Sequence, residues 1–175
     1  MAFNIQNFRE ALNFDGARPN LFEVRIAGRM GEDFTFMCKA AQIPGATIGT
    51  VEIPYFGRAV KLAGNRTFAD WSITVINDED YSIRHQFTEW MASINGHEGN
   101  IAGGLSNDYF EEIEVIQYGK DGDARQKFKL LGAFPTDLSA IELDWGSNDA
   151  IEEYQVTFSY QFWTGIDGNV RTDVL

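Results

Sequence analysis

Between residues 154 and 163 apolar and polar side chains alternate without interruption. Tyr154, Val156, Phe158, Tyr160 and Phe162 share one face, and Gln155, Thr157, Ser159 and Gln161 share the other. A period of two is the repeat of a strand with one face buried, so the chain is committed to sheet packed over a core. The same repeat sets Phe22, Val24 and Ile26 against Glu23 and Arg25, and Trp71, Ile73 and Val75 against Ser72 and Thr74. Further strands are predicted at 34–41, which carries Cys38, and at 113–118 and 125–131, joined by a turn centred on Asp121-Gly122. A short candidate lies at 141–144.

Only one segment has a long helical period. Ile83, Phe87, Trp90, Met91 and Ile94 recur at i, i+4, i+7, i+8 and i+11 behind Asn77, Asp78, Glu79 and Asp80, which supply a cap and dipole-favoured acids. The expected helix spans 79–95, with Gly96 as its stop. Asn4 can cap a shorter one, with Ile5, Phe8 and Leu12 on one face and Gly16 and Pro19 ending it, so that 1–20 reads as an arm. Residues 42–65 place Pro44, Gly45, Gly49, Pro54, Gly57 and Gly64 among short β-branched runs, a long loop or a loose extended hairpin. About seven strands and one helix argue for a single domain over 1–175, a β-sandwich or barrel with a helix packed on it. Its core is expected to contain Trp71, Ile73, Val75, Phe87, Trp90, Met91, Val156, Phe158 and Tyr160.

The charge balance excludes one function class. Against 14 Lys and Arg stand 26 Asp and Glu, a formal charge of −12, which is wrong for a surface that binds nucleic acid through phosphate contacts. The acids are uneven, since 1–75 carries +1 and 76–175 carries −13. The longest uncharged runs, 40–51 and 154–166, have 12 and 13 residues, short of the roughly 20 a membrane helix needs. A single cysteine allows no internal disulfide, and residues 1–10 have neither a basic start nor an apolar stretch. A soluble chain kept in a reducing cytosol is the expectation.

No catalytic, cofactor or metal constellation emerges. His85 lies off the apolar stripe of its helix, and with His97 completes the histidines. The run 78–80 lacks the alternating ligands of a calcium loop and is accounted for by helix capping. Glu111 with Glu112 and Glu152 with Glu153 are adjacent pairs, which on a strand point to opposite faces and cannot share a glycosidic bond. Cys38, inside an alternating apolar strand, reads as a small core residue.

Other residues carry a resemblance. Gly16-Ala17-Arg18-Pro19-Asn20-Leu21-Phe22 precedes a strand, and Cys38-Lys39-Ala40-Ala41-Gln42-Ile43-Pro44-Gly45 follows. Trp71 then stands ahead of Asn77-Asp78-Glu79-Asp80-Tyr81-Ser82-Ile83-Arg84, which leads into Phe87 and Trp90. The second half adds Gly132-Ala133-Phe134-Pro135, Asp144-Trp145 and Val156-Thr157-Phe158 running on to Trp163. In this order they resemble the tail-tube proteins of contractile-tailed bacteriophages, over nearly the whole chain.

That resemblance implies a mainly β fold of two packed antiparallel sheets with one flanking helix. It also implies sixfold rings of identical subunits, stacked into a hollow virion-tail tube that is assembled in the host cytoplasm. The implied partners are further copies of the chain, a contractile sheath protein, a baseplate or tube-initiator protein, and a tape-measure protein. DNA passes without specific binding, and no cofactor is expected. Tubes of type VI secretion and related injection particles share the implied fold.

Candidate lumen-lining positions are the uncharged polar faces, Ser72 with Thr74 and Gln155, Thr157, Ser159 with Gln161, together with the acids Glu112 and Glu114. Candidate inter-subunit positions are Ile5 and Phe8 in the arm and Pro44, Gly45, Val51, Ile53 and Tyr55 in the 42–65 segment. Three other readings remain open: a tube-initiating baseplate protein, the inner-tube subunit of a bacterial injection machine, and a monomeric ligand-binding β-barrel or carbohydrate hydrolase. The last predicts a deep pocket with a perturbed carboxylate.

Overall fold

The structure, a computed structural model, describes residues 5–12, 16–101 and 103–165; the cap expected at Asn4 lies outside them. Among the described residues the arm forms helix α1 (Ile5–Ala11), followed by strand β1 (Phe22–Ile26), helix α2 (Glu32–Met37) and strand β2 (Cys38–Ala41). A long pair, β3 (Thr47–Tyr55) and β4 (Arg58–Thr67), leads to β5 (Trp71–Ile76) and helix α3 (Ser82–Ile94). A single turn, α4 (Ser106–Tyr109), precedes β6 (Glu111–Tyr118), β7 (Ala124–Leu138), β8 (Glu153–Ser159) and β9 (Phe162–Gly165).

Seven strands join in one antiparallel ladder, β1-β6-β7-β8-β5-β2, with β9 paired to β7. Strand β7 belongs to two sheets. Its first part pairs with β6 and β9, and from Phe134 onward it pairs with β8. Between them a bulge sets Leu131 and Gly132 opposite Glu112, and Gly132 takes a φ of +63°, a left-handed conformation that costs glycine nothing. The result is two antiparallel sheets over one core, as the alternating segments implied. That core draws Val24 and Ile26 from β1, Ile113 and Val115 from β6, and Ile73, Val75, Val156 and Phe158 from β5 and β8.

Helix α3 covers this core with Ile83, Phe87 and Trp90, all buried. The rings of Trp71, Phe87 and Trp90 lie 5.8, 6.0 and 6.0 Å from the ring of Phe158. Of the nine expected core residues only Met91 is not fully buried.

Several expected elements are corrected. Residues 34–37 are not strand, because Phe34 and Met37, three apart, turn toward the core while Phe36 is 80 % exposed, so α2 precedes a β2 of four residues. Phe34 meets Phe87 edge to face at 5.8 Å, a tertiary contact that fixes so short a helix. Helix α3 starts at Ser82 and not at 79, since Tyr81 closes a turn onto the carbonyl of Asp78 and stands at φ 56°. Asp78 still serves that end, accepting a bond from Ser82 Oγ at 2.6 Å. The 141–144 candidate is irregular chain. The 154–163 alternation breaks after Ser159, where the chain leaves β8 for β9 and exposes Phe162. The turn α4 at Ser106–Tyr109 has no counterpart among the expected elements.

Candidate assembly surfaces

The 42–65 segment is an ordered hairpin. Eight residue pairs register β3 with β4, and Phe56-Gly57 turns the chain with φ of 43° and 77°, both positive, as a two-residue hairpin turn demands. The hairpin is amphipathic. Val51 opposes Leu62, Ile53 opposes Val60 and Tyr55 opposes Arg58 on one face, whereas Glu52 and Lys61 form an ion pair of 3.2 Å on the other. Neither face packs on the body, since apart from the half-buried Gly64 every residue of β3 and β4 is exposed. A two-stranded hairpin without a packed face is marginal in water.

Its tip breaks a local rule as well. Phe56, a large aromatic, is 91 % exposed and occupies the left-handed region that disfavours side chains, its ring edge to face with that of Tyr55 at 4.7 Å. A strained, exposed aromatic of this kind is a place to look for a function beyond the fold.

Two indoles hold the root of the hairpin. Trp71 Nε1 donates to the carbonyl of Gln42 at 2.6 Å, and Trp163 Nε1 donates to that of Gly45 at 3.0 Å. Pro44 between them is buried. The seven inter-subunit candidates therefore separate into three places: Pro44 and Gly45 in the anchored root, Val51, Ile53 and Tyr55 on the apolar face, and Ile5 and Phe8 on α1, where they are 77 % and 66 % exposed. The anchoring role of Trp163 was not legible in the sequence, because it joins residues 118 positions apart.

The eight lumen candidates also separate. Ser72 lies beside Thr157 and Thr74 beside Gln155 across β5 and β8, and the hydroxyls of Ser72 and Thr157 are 3.2 Å apart. Thr136 Oγ1 extends the patch by donating to the carbonyl of Thr157 at 3.1 Å. This face of the β7-β8-β5-β2 sheet is polar, with the exposed Asp137 directly opposite Thr157 and Lys39 and Glu153 paired at 2.5 Å to one side. Ser159 ends β8 opposite Phe134, and Gln161 lies beyond it, its N–H bonded to the carbonyl of Leu131. Glu112 and Glu114 lie on β6 in the other sheet. Glu112 is paired with Lys129, and Glu114 stands between Arg25 and Lys129.

The chemistry a hydrolase would need is not assembled by these elements. Burial pushes the Glu23 carboxyl up, but hydrogen bonds from Arg25 and Tyr118 outweigh it and leave Glu23 below its ordinary value, opposite to a general acid. Burial drives the Cys38 thiol up to about 12, so it is no thiolate nucleophile at neutral pH. Among the described residues no three His, Cys, Asp or Glu side chains converge as metal ligands.

Comparison with known proteins shows the family and the fold. Residues 6–165 match the sequence profile described as phage tail tube protein. The tail tube protein gp19 of Enterobacteria phage T4 is 37 % identical over 150 residues, spanning 85 % of this chain and 91 % of that protein. Among solved structures, a sheath-tube complex of an extracellular contractile injection system, PVC, in its extended state superposes with a TM-score of 0.66 at 16 % identity, covering 94 % of this chain and 98 % of the other. The tube-terminating cap of the anti-feeding prophage gives 0.65 at 16 % identity, covering 85 % and 89 %. At that identity the two structures speak to the fold alone.

Proposed function

The chain belongs to the phage tail tube protein family, and from that premise we propose that it is the repeating subunit of a virion tail tube, closing into sixfold rings that stack into a hollow conduit for DNA. The role is structural, and no reaction is assigned to it. The observation that carries the proposal is the β3-β4 hairpin, which presents Val51, Ile53, Tyr55, Val60 and Leu62 to solvent on one face of an unpacked two-stranded ribbon. Exposed apolar surface of this extent belongs to an interface. The hairpin therefore packs on an adjacent copy, which supplies the burial that the subunit withholds.

The polar face centred on Ser72, Thr74, Gln155 and Thr157 lines the lumen in this reading. Six copies of a chain of charge −12 carry −72 per ring. An acidic tube whose wall is polar, with Asp137 exposed on it and Lys39 paired to Glu153, offers the phosphate backbone, among the described residues, no unpaired cation on this face at which to stall. The outer surface meets a contractile sheath protein, the lumen holds a tape-measure protein before ejection, and a baseplate initiator seeds the first ring. Negative-stain microscopy with sedimentation of the purified full chain tests the proposal. Rings or tubes of constant diameter are the expected result, and a chain that stays monomeric even when seeded with baseplates would overturn it.

A further inference from the structure

The reading of the hairpin as an assembly surface leaves open what receives it, and the inference here rests on that reading. Residues 139–152 join β7 to β8 as irregular chain that stays at the surface, exposed without a break from Glu142 to Ile151. Three large apolar side chains stand on it, Leu143, Ile151 and Trp145, the last 100 % exposed. A tight turn holds Trp145 outward, with Gly146 N–H donating to Asp144 Oδ1 at 3.1 Å and Ser147 N–H to the Asp144 carbonyl at 3.2 Å. An indole wholly in water is unusual for a side chain of that area.

The charge of this loop is complementary to that of the hairpin. Residues 139–152 contain Glu142, Asp144, Asp149 and Glu152 and no base, a net −4. Residues 47–67 contain Arg58, Lys61 and Arg66 against Glu52, a net +2 in a chain of −12. Both surfaces are apolar and exposed in the same subunit, so neither covers the other within it. We propose that the hairpin of one copy seats on the 139–152 loop of a neighbouring copy, its apolar face over Leu143, Trp145 and Ile151 and Arg58, which stands on that face opposite Tyr55, toward Glu142 and Asp144. Two different patches meet in such a contact, so it is heterologous and repeats from copy to copy, the geometry of a ring or an open stack. Opposite charge fixes the register and deters hairpin-to-hairpin pairing, while the aromatic anchor carries the affinity.

Charge exchange within one chain tests the pairing. Arg58→Glu, Glu142→Lys with Asp144→Lys, and Trp145→Ala are each compared with wild type for assembled fraction in seeded sedimentation, after circular dichroism has shown each variant folded. Each should lower that fraction about tenfold. The chain carrying both charge reversals should recover to within about threefold of wild type, because the attraction is restored with its sign exchanged. Normal assembly of the Trp145→Ala and loop-reversed chains, with the hairpin-reversed chain failing, overturns the loop as receptor and leaves the hairpin reading intact. Normal assembly of the hairpin-reversed chain and of an Ile53→Asp chain overturns the hairpin reading itself. Failure of the doubly reversed chain when each single reversal fails means that the two patches serve different surfaces, and this too overturns the pairing.

Discussion

The ring of Trp90 on α3 stands 6.0 Å from that of Phe158 on β8, and through this contact the helix is fastened to the sheet. Trp90 also spends its one donor, Nε1–H, on the carbonyl of Tyr109 at 2.8 Å, so a fully buried indole leaves nothing polar unsatisfied. Phe158→Ala or Trp90→Ala should lower unfolding stability by about 3–5 kcal/mol, the usual cost of emptying a large aromatic site. Urea titration of the unassembled subunit measures it.

At the hairpin tip, subunit stability and assembly should move in opposite directions. Asn tolerates the left-handed φ that Phe56 is forced to adopt, and Asn-Gly favours this turn. Phe56→Asn should raise the stability of the unassembled subunit by up to about 1 kcal/mol, the order of the left-handed penalty, yet reduce tube formation. Thermal unfolding and sedimentation read the two effects separately, and a loss in both would place Phe56 in the subunit's own packing.

Trp163→Phe removes the bond to the Gly45 carbonyl and keeps most of the ring, which also packs edge to face on Phe128 at 5.7 Å. The expected loss of global stability is about 1 kcal/mol, one net hydrogen bond. The larger effect should be local. Hydrogen exchange of β3 and β4 amides should be faster than that of β5 and β8, because neither hairpin face is packed, and should quicken further in this variant, with tube assembly falling alongside.

Alkaline pH should weaken the fold. Burial raises the Cys38 thiol from 9.0 to about 12 and pushes the Tyr154 phenol up as well, so the folded chain holds protons that the unfolded chain releases. The contribution of Cys38 is fully present below pH 9 and is lost as pH rises from 9 to 12, by about 1.4 kcal/mol per pH unit. Cys38→Ala, though less stable at pH 7, should show a shallower decline over that window in denaturant titrations. The native thiol should also resist alkylation at pH 8.

Gln155→Lys with Thr157→Lys tests the proposed lumen wall. Tubes should still assemble, because both side chains face away from the core, but DNA ejection should slow and become dependent on salt. Failed assembly would put this face in a subunit contact, and unchanged ejection would put it outside the conduit.

The sequence by itself determined the sheets and the core. Alternation at 71–76 and 154–159 can be satisfied only by strands with one buried face, and the i, i+4, i+7 spacing of Ile83, Phe87 and Trp90 only by a helix lying on them. Such periods are local, and local spacing is what a sequence displays. Tertiary structure decided what depends on distant partners. Phe34 became helical because it meets Phe87, and the 154–163 alternation was cut in two because the chain crosses from one sheet to the other beside the bulge at Gly132. The Gly- and Pro-rich segment 42–65 became a projecting hairpin because two tryptophans, 29 and 118 residues away, grip its root. The outward faces carry no period of their own that says what will cover them. Their meaning depends on which exposed patches lie on the same subunit, and only the folded chain sets them at its surface together.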